Sequence, residues 1–302
     1  MLTEHLGYLA GLATAVCWTV SAVFFTRAAG RIGGVTVNHA RVVLSLPMMA
    51  LIHLATQGSL SPVHVEPYRW GWLALSGVVG LALGDSCLFI AFALIGPRLS
   101  LLVMSLVPVI STTAAWIFLR ETLAPVEIAG VLIAVIGIGW VVMERGGNDD
   151  PADSPTPRYG LGILLAFGGA LGQALGLVVA KKGMAGDFPA ISATLIRMLA
   201  AAATMWGVAA LRGQAPAVAR RICDRKTLAH LLSAVAIGSA LGIWLSLVSI
   251  QYARLGIATT LMALPPVLIL PLAYWQLRER ITTRAVLGTI VTFAGIALLL
   301  MK

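Results

Sequence analysis

Long apolar stretches separated by short polar connections run through the whole chain. A helix needs about 20 mainly apolar residues to cross about 30 Å of hydrocarbon. Ten stretches of that kind occur, at residues 7–27, 35–56, 71–95, 99–119, 123–143, 159–180, 188–211, 229–252, 256–276 and 282–301. The pattern therefore predicts an all-α integral membrane protein with ten transmembrane helices.

The chain also repeats itself at an offset of 158 residues: GLALG at 80–84 aligns with GSALG at 238–242, and MSLVPV at 104–109 aligns with MALPPV at 262–267. The repeat predicts two five-helix halves, residues 1–143 and 159–302, joined by the polar linker 144–158. Because five is odd, equivalent points in the two halves face opposite sides of the membrane, so the halves are inverted repeats. Inverted repeats are typical of carriers that alternate between two nearly equivalent conformations around a midplane site.

Composition agrees with a bilayer location. Hydrophobic residues make up 59% of the chain and charged residues only 11%, against about 25% charged in a typical soluble domain. The net charge of +9 is attributed to basic residues that flank the spans and contact lipid headgroups, so nucleic-acid binding is not predicted. The sequence indicates no cofactor, metal site or catalytic residue. An intramembrane enzyme is a remote alternative, because Asp85 has no second acid at its depth.

Three charged residues lie deep inside predicted spans. With a rise of about 1.5 Å per residue, Asp85 lies about 15 Å from the end of the third span, Arg197 about 14 Å inside the seventh and Arg41 about 9 Å inside the second. A charge at the bilayer centre costs about 3 kcal/mol unless it faces the protein interior and finds a partner. Asp85 is therefore expected to pair with Arg197 or Arg41. Two interpretations stay open: a permanent structural pair, or a site where Asp85 accepts a proton or a substrate amine and an arginine holds a carboxylate or phosphate.

The repeat does not duplicate this acid, because Asp85 aligns with Ile243. Trp18 and Trp244 lie near mid-depth, where they either stack an aromatic or cationic substrate or pack in the core. Gln173 is a further hydrogen-bonding candidate. The predicted substrate-binding residues are Trp18, Arg41, Asp85, Gln173, Arg197 and Trp244, with Asp85 also the predicted proton-coupling residue.

Other patterns mark packing positions. Gly168, Gly172 and Gly176 form a row at a spacing of four, which lets helix backbones approach closely. Prolines inside spans, such as Pro108, are expected to kink their helices. Glu121, at the end of the fourth span, is interpreted as a loop or cap residue.

Several of these residues carry a resemblance to a known family. Trp18 in the first span, Arg41 and Arg197 early in the second and seventh, and the block SLVPVISTTAAWIFLRETLAPVEIAGVLIAVIGI at 105–138, repeated as ALPPVLILPLAYWQLRERITTRAVLGTIVTFAGI at 263–296, are similar to EamA-type permeases of the drug/metabolite transporter superfamily. One departure is Gln173, which stands in the second half where Trp18 would align. The resemblance implies a secondary-active exporter of a small organic metabolite, such as an amino acid, with a central cavity surrounded by the first four helices of each half.

The resemblance also implies a multi-pass protein of the cell (inner) membrane whose partners are lipids and a small molecule. A lipid or lipid-linked-sugar flippase of the same fold is the alternative function, and monomer and homodimer both stay open. The side that the termini face is open as well. The resemblance implies the cytoplasm, whereas the positive-inside rule favours the outside, because the connections opposite the termini carry thirteen Lys and Arg against six on the termini side.

Overall fold

The structure is a computed structural model that describes residues 2–62, 65–144, 159–222, 225–268 and 283–300. Within these ranges all regular secondary structure is helical. The first half contains α1 (Leu2–Ile32), α2 (Gly34–Gln57), α3 (Pro67–Ser76), the π-helical segment π1 (Gly77–Gly84), α4 (Asp85–Met104), α5 (Val107–Leu119) and α6 (Pro125–Glu144). The second half contains α7 (Tyr159–Gly183), α8 (Ala190–Leu211), α9 (Ala215–Ile222), α10 (Arg225–Ala234), the π-helical segment π2 (Val235–Gly242), α11 (Ile243–Tyr252), α12 (Leu255–Met262) and α13 (Thr283–Leu300).

Many of these helices have the length and composition of membrane spans. Six stretches of the described residues are long and apolar enough to cross a bilayer: Gly34–Gln57, Pro67–Ile95, Ser100–Leu119, Tyr159–Gly183, Ala190–Leu211 and Leu231–Tyr252. Shorter apolar helices cover Pro125–Val141, Leu255–Leu268 and Val286–Leu300. The all-helical membrane fold is thus confirmed, while the total of ten spans stays a prediction. Residues 145–158 of the predicted linker and 269–276 of the predicted ninth span lie outside the described residues.

Large hydrophobic side chains cover much of the outside of the helix bundle. Trp116, Phe118 and Leu164 are 62, 65 and 65% exposed. A water-soluble domain rarely exposes contiguous apolar patches of this kind, whereas lipid tails solvate them without cost. The surface of the bundle is therefore suited to a bilayer.

The two halves share an unusual backbone feature. π1 and π2 are each 8 residues long and lie 158 residues apart at both ends, which is the offset of the sequence repeat. Each half is also interrupted at an equivalent place, after Met104 and after Met262. Pro108 lies in the first turn of α5, where the N–H that proline lacks would have no partner in the helix anyway. This proline therefore begins a new helix and does not kink a continuous one.

Each π segment packs against the first helix of the other half. A Cβ atom on Gly172 of α7 would lie 2.6 Å from the Cα of Gly84 in π1. In the equivalent contact, a Cβ atom on Gly242 of π2 would lie 2.9 Å from the Nε1 of Trp18 in α1. Ordinary carbon contacts are about 3.5–4.0 Å, so these glycines set the distance between the halves.

α6 and α13 form a separate close pair. A Cβ atom on Gly137 of α6 would lie 2.5 Å from the backbone nitrogen of Thr292 in α13, and one on Gly295 would lie 2.4 Å from that of Ala134. Neither helix contributes a described residue to the central cavity. The pair therefore lies outside the site.

Candidate functional site

A cavity of about 830 Å³ lies between the two halves. Helices α1, α2, π1 and α4 line it from the first half, and α7, α8, π2 and α11 line it from the second. On α1 the lining residues Trp18, Ala22, Phe25 and Ala29 follow one another at intervals of three or four, so they share one helix face. The cavity therefore occupies the place where both repeats meet.

The cavity extends towards one end of the bundle and is closed at the other. Its lining reaches Gly33 and Gly34, at the junction of α1 and α2. In the opposite direction Ala15, Leu247 and Leu261 are completely buried in the main hydrophobic cluster. Passage through the bundle in this conformation would require that packed layer to open.

Arg41 and Asp85 form an ion pair in the wall of the cavity. The Nη2 of Arg41 donates to the carboxylate of Asp85, and its Nε donates to the Oδ1 of Asn38 at 2.7 Å. The Nδ2 of Asn38 in turn lies 3.3 Å from the Oγ of Ser86. Because Asp85 and Ser86 begin α4 while Asn38 and Arg41 share a face of α2, the four side chains tie these helices together. Asp85 therefore shares no proton with a second carboxylate within the described ranges; its partner is a cation.

Arg197 on α8 is the second cation of the cavity. Its side chain lines the cavity and the residue is only 2% exposed. Its Nε and Nη1 have no hydrogen-bond partner in the described part of the chain. Gly80 of π1 leaves room for it, since a Cβ atom at that position would lie 3.4 Å from the Nη2 of Arg197. A guanidinium stays protonated in proteins, so the cavity holds a buried positive charge with free hydrogen-bond donors.

The structure brings five of the six predicted site residues together. Trp18, Arg41, Asp85, Gln173 and Arg197 all line the cavity. Trp244 does not; it packs beside the two largest hydrophobic clusters. Trp244 lies at a similar depth in the membrane to Trp18, but on the face of α11 that packs in the core.

Three aromatic residues of the cavity wall were not among the predicted site residues. Phe25, Phe89 and Phe92 line the cavity, and the guanidinium carbon of Arg41 lies 5.8 Å from the centre of the Phe89 ring. The rings of Phe89 and Phe92 meet edge to face at 5.9 Å. Phe89 and Phe92 could have been predicted from the sequence, because residues four and seven positions after Asp85 lie on the same face of the helix.

A second group of charges joins the halves outside the cavity. We refer to Glu121, Glu127, Lys181 and Arg254 as the ion-pair cluster. The Nζ of Lys181 lies 2.6 Å from the Oε1 of Glu121, and Arg254 pairs with Glu127. The other oxygen of Glu121, Oε2, accepts the backbone N–H of Leu255 at 2.8 Å, so this carboxylate caps the start of α12. The interpretation of Glu121 as a cap residue is thus extended: it caps a helix of the other half and also forms an ion pair.

The ion-pair cluster lies at the closed end of the bundle. Near the start of α1, a Cβ atom on Gly7 would lie 2.8 Å from the backbone nitrogen of Ala253, the neighbour of Arg254. The cavity instead reaches Gly33, just beyond the other end of α1. Since α1 contains 31 residues and is therefore about 45 Å long, the cluster and the cavity mouth lie at opposite ends.

A helical bundle with a charged cavity between two repeated halves has the form of a membrane transporter. The sequence profile of the EamA-like transporter family matches residues 5–143 and 160–301, one match for each half. The chain belongs to this family, whose members are transporters of the drug/metabolite transporter superfamily and not enzymes.

Structural comparison agrees on the fold. A protein of known crystal structure superposes with a TM-score of 0.77 at 18% sequence identity, over 97% of this chain and 96% of the other. At that identity the likeness concerns the fold alone. No curated protein sequence matches the chain.

Proposed function

We propose that this protein is a secondary-active carrier that moves a small organic metabolite across the cell (inner) membrane by alternating access. In this proposal ten spans form two inverted five-helix repeats, and export is the direction that the family resemblance implies. The observation that carries the proposal is the cavity of about 830 Å³ between the repeats, lined by Arg41, Asp85 and Arg197. Charged groups at that depth are energetically costly, and where they occur inside a membrane protein they commonly mark a substrate or ion pathway.

The closed end of the bundle supports alternating access. Lys181 and Arg254 of the second half form ion pairs with Glu121 and Glu127 of the first half. A packed apolar layer separates these ion pairs from the cavity. In a carrier, this end must open when the cavity mouth closes. The ion-pair cluster is therefore the proposed lock on one of the two conformations.

Counterflow in proteoliposomes tests the carrier function directly. Proteoliposomes that contain the purified protein are loaded with an unlabelled compound, and a trace of the same labelled compound is added outside. The compounds come from a panel of amino acids, organic acids, sugars and nucleotide derivatives. A carrier gives transient, saturable accumulation of its substrate and of close analogues, whereas empty liposomes give none. Absence of accumulation across the panel, with the protein still folded, contradicts a metabolite carrier; movement of labelled lipid or lipid-linked sugar in the same vesicles would then favour a flippase.

Cysteine labelling tests the proposed lock. Thr14 lies on α1 between the cavity and the closed end and is completely buried, so Thr14→Cys is expected to react slowly with a water-soluble maleimide. The background carries alanine in place of Cys17, Cys87 and Cys223. Glu121→Gln removes one charge of the lock and is expected to raise the labelling rate several-fold. Glu66→Gln is the matched control, because the Glu66 side chain is 71% exposed and pairs with Arg69 three residues away; equal rates in both variants would contradict the lock.

A further inference from the structure

We propose that the substrate of this cavity is an organic monoanion, a carboxylate on an apolar body, and that Arg197 binds its carboxylate. The proposal rests on the carrier function proposed above and specifies its substrate class. It starts from one difference between Arg41 and Arg197, which the repeat makes equivalent at an offset of 156 residues in this part of the chain.

Arg41 and Arg197 occupy corresponding positions in α2 and α8, but among the described residues only Arg41 has a carboxylate partner. Arg41 pairs with Asp85 at the start of α4. The residue at the start of α11, in the corresponding position of the second half, is Ile243, which also lines the cavity. The second half therefore repeats the cation without repeating its anion.

The cavity thus lacks one negative charge. Its described charged lining consists of Arg41, Asp85 and Arg197, two cations and one anion. Arg41 is already paired with Asp85 and Asn38, while the Nε and Nη1 of Arg197 are buried and have no partner among the described residues. Buried donors left unpaired cost free energy, and a guanidinium binds a carboxylate through strong, charge-assisted hydrogen bonds. A ligand carboxylate would supply the missing charge and an acceptor for these donors.

The charge balance favours a monoanion over the other common charge types. A phosphate dianion would leave an excess negative charge in the cavity unless it carried its own cation. A zwitterionic amino acid brings an ammonium group that needs an acceptor, and the carboxylate of Asp85 is already paired with Arg41. A cationic amine would add a third positive charge beside Arg197.

The remaining lining indicates the body of the substrate. Most of it is apolar, and it includes four aromatic rings, Trp18, Phe25, Phe89 and Phe92. Such rings contact flat or branched apolar groups over large areas. An amphipathic carboxylic acid, with its charged end at Arg197 and its apolar end among the rings, matches this division.

A set of probes that share a phenyl ring and differ in charge tests the preference for a monoanion. The probes are 3-phenylpropionate, phenylalanine, 2-phenylethylamine and phenyl phosphate, and propionate tests the need for the body. Binding to purified protein is measured by calorimetry, and exchange is measured by counterflow. The expected result is saturable binding of 3-phenylpropionate that is at least about tenfold tighter than binding of the other four probes, as expected for one charge-assisted contact.

Two substitutions then locate the binding group. Arg197→Gln is expected to weaken 3-phenylpropionate binding roughly 10- to 100-fold, whereas Arg212→Gln, at the exposed end of the same helix, should leave it unchanged. Ile243→Asp copies the first half onto the second by giving Arg197 an internal carboxylate. This variant should lose anion binding, while Ile243→Asn, equal in size but neutral, should keep most of it.

The outcomes separate this proposal from the carrier function. Equal or tighter binding of phenylalanine or 2-phenylethylamine, no binding of 3-phenylpropionate at millimolar concentration, or full binding by a folded Arg197→Gln variant would overturn the monoanion proposal. Counterflow of any other panel compound would leave the carrier function standing in each of those cases. Conversely, binding of 3-phenylpropionate that depends on Arg197, without exchange of any compound, would support the site and contradict the carrier.

Discussion

The contact between π1 and α7 makes a sharp prediction about three glycines on one helix. A Cβ atom on Gly172 would lie 2.6 Å from the Cα of Gly84, and one on Gly176 would lie 2.8 Å from the Cα of Gly80. On Gly168, four residues before Gly172, the added Cβ would meet nothing closer than the Sγ of a cysteine at 3.7 Å. The row of three glycines therefore contains two close backbone contacts and one ordinary position.

The expected free energies follow from these distances. Ordinary carbon contacts need about 3.5–4.0 Å, so Gly172→Ala must push α7 and π1 apart by about 1 Å. Overpacking of this kind costs about 1–3 kcal/mol. Gly168→Ala meets no such contact and gains up to about 1 kcal/mol of helix propensity. Gly172→Ala gains the same propensity on the same helix, so the two variants should differ in unfolding free energy by about 1–3 kcal/mol, the cost of overpacking.

Thermal unfolding of the purified protein in detergent measures this difference. Gly172→Ala should unfold at a clearly lower temperature than the wild type and should also lose counterflow activity, because the altered contact lies between the halves. Gly168→Ala should match or exceed the wild type in stability and should remain active. If Gly172→Ala proves as stable and active as Gly168→Ala, the close approach of π1 and α7 is not a feature of the working protein.

Three further predictions concern the cavity. Asp85→Asn removes the carboxylate that pairs with Arg41, so transport driven by an imposed pH gradient should be lost while counterflow continues with a raised KM; unchanged gradient-driven transport would contradict proton coupling at Asp85. Trp18→Phe should raise the KM for exchange several-fold, whereas Trp244→Phe should not, because only Trp18 lines the cavity; equal effects would remove that distinction. Asn38→Ala removes the acceptor 2.7 Å from Arg41 Nε and should lower stability by about 1–3 kcal/mol, visible as a lower unfolding temperature in detergent.

The sequence was sufficient to predict which deep charges face the interior. Arg41, Asp85 and Arg197 all line the cavity, because a charge at that depth has no acceptable position against lipid. It was not sufficient to choose between Arg41 and Arg197 as the partner of Asp85. Depth along a helix says nothing about its rotation, and the choice depends on Asn38, which orients Arg41 towards α4.

The same limit explains the residues that were missed or misplaced. Trp244 lies at the depth of Trp18, but it faces the packed core and Trp18 faces the cavity. Lys181 and Glu121 stand at span ends, where basic and acidic residues commonly face headgroups or cap helices. Their ion pair joins the end of α7 to the connection after α5, two segments of different halves. An interpretation of each span by itself does not reveal contacts between segments so far apart in the chain.

The two π segments also bear on the origin of the chain. A π turn arises when one residue is added to an α-helix, and such turns are rare outside functional regions. Here the same widened segment occurs twice, at Gly77–Gly84 and Val235–Gly242, and each copy is followed at once by a residue of the cavity wall, Asp85 or Ile243. The simplest history is a single insertion in an ancestor that contained one repeat, followed by gene duplication. On that history the backbone of the site is older than its charge, since Asp85 and Ile243 diverged only after the duplication.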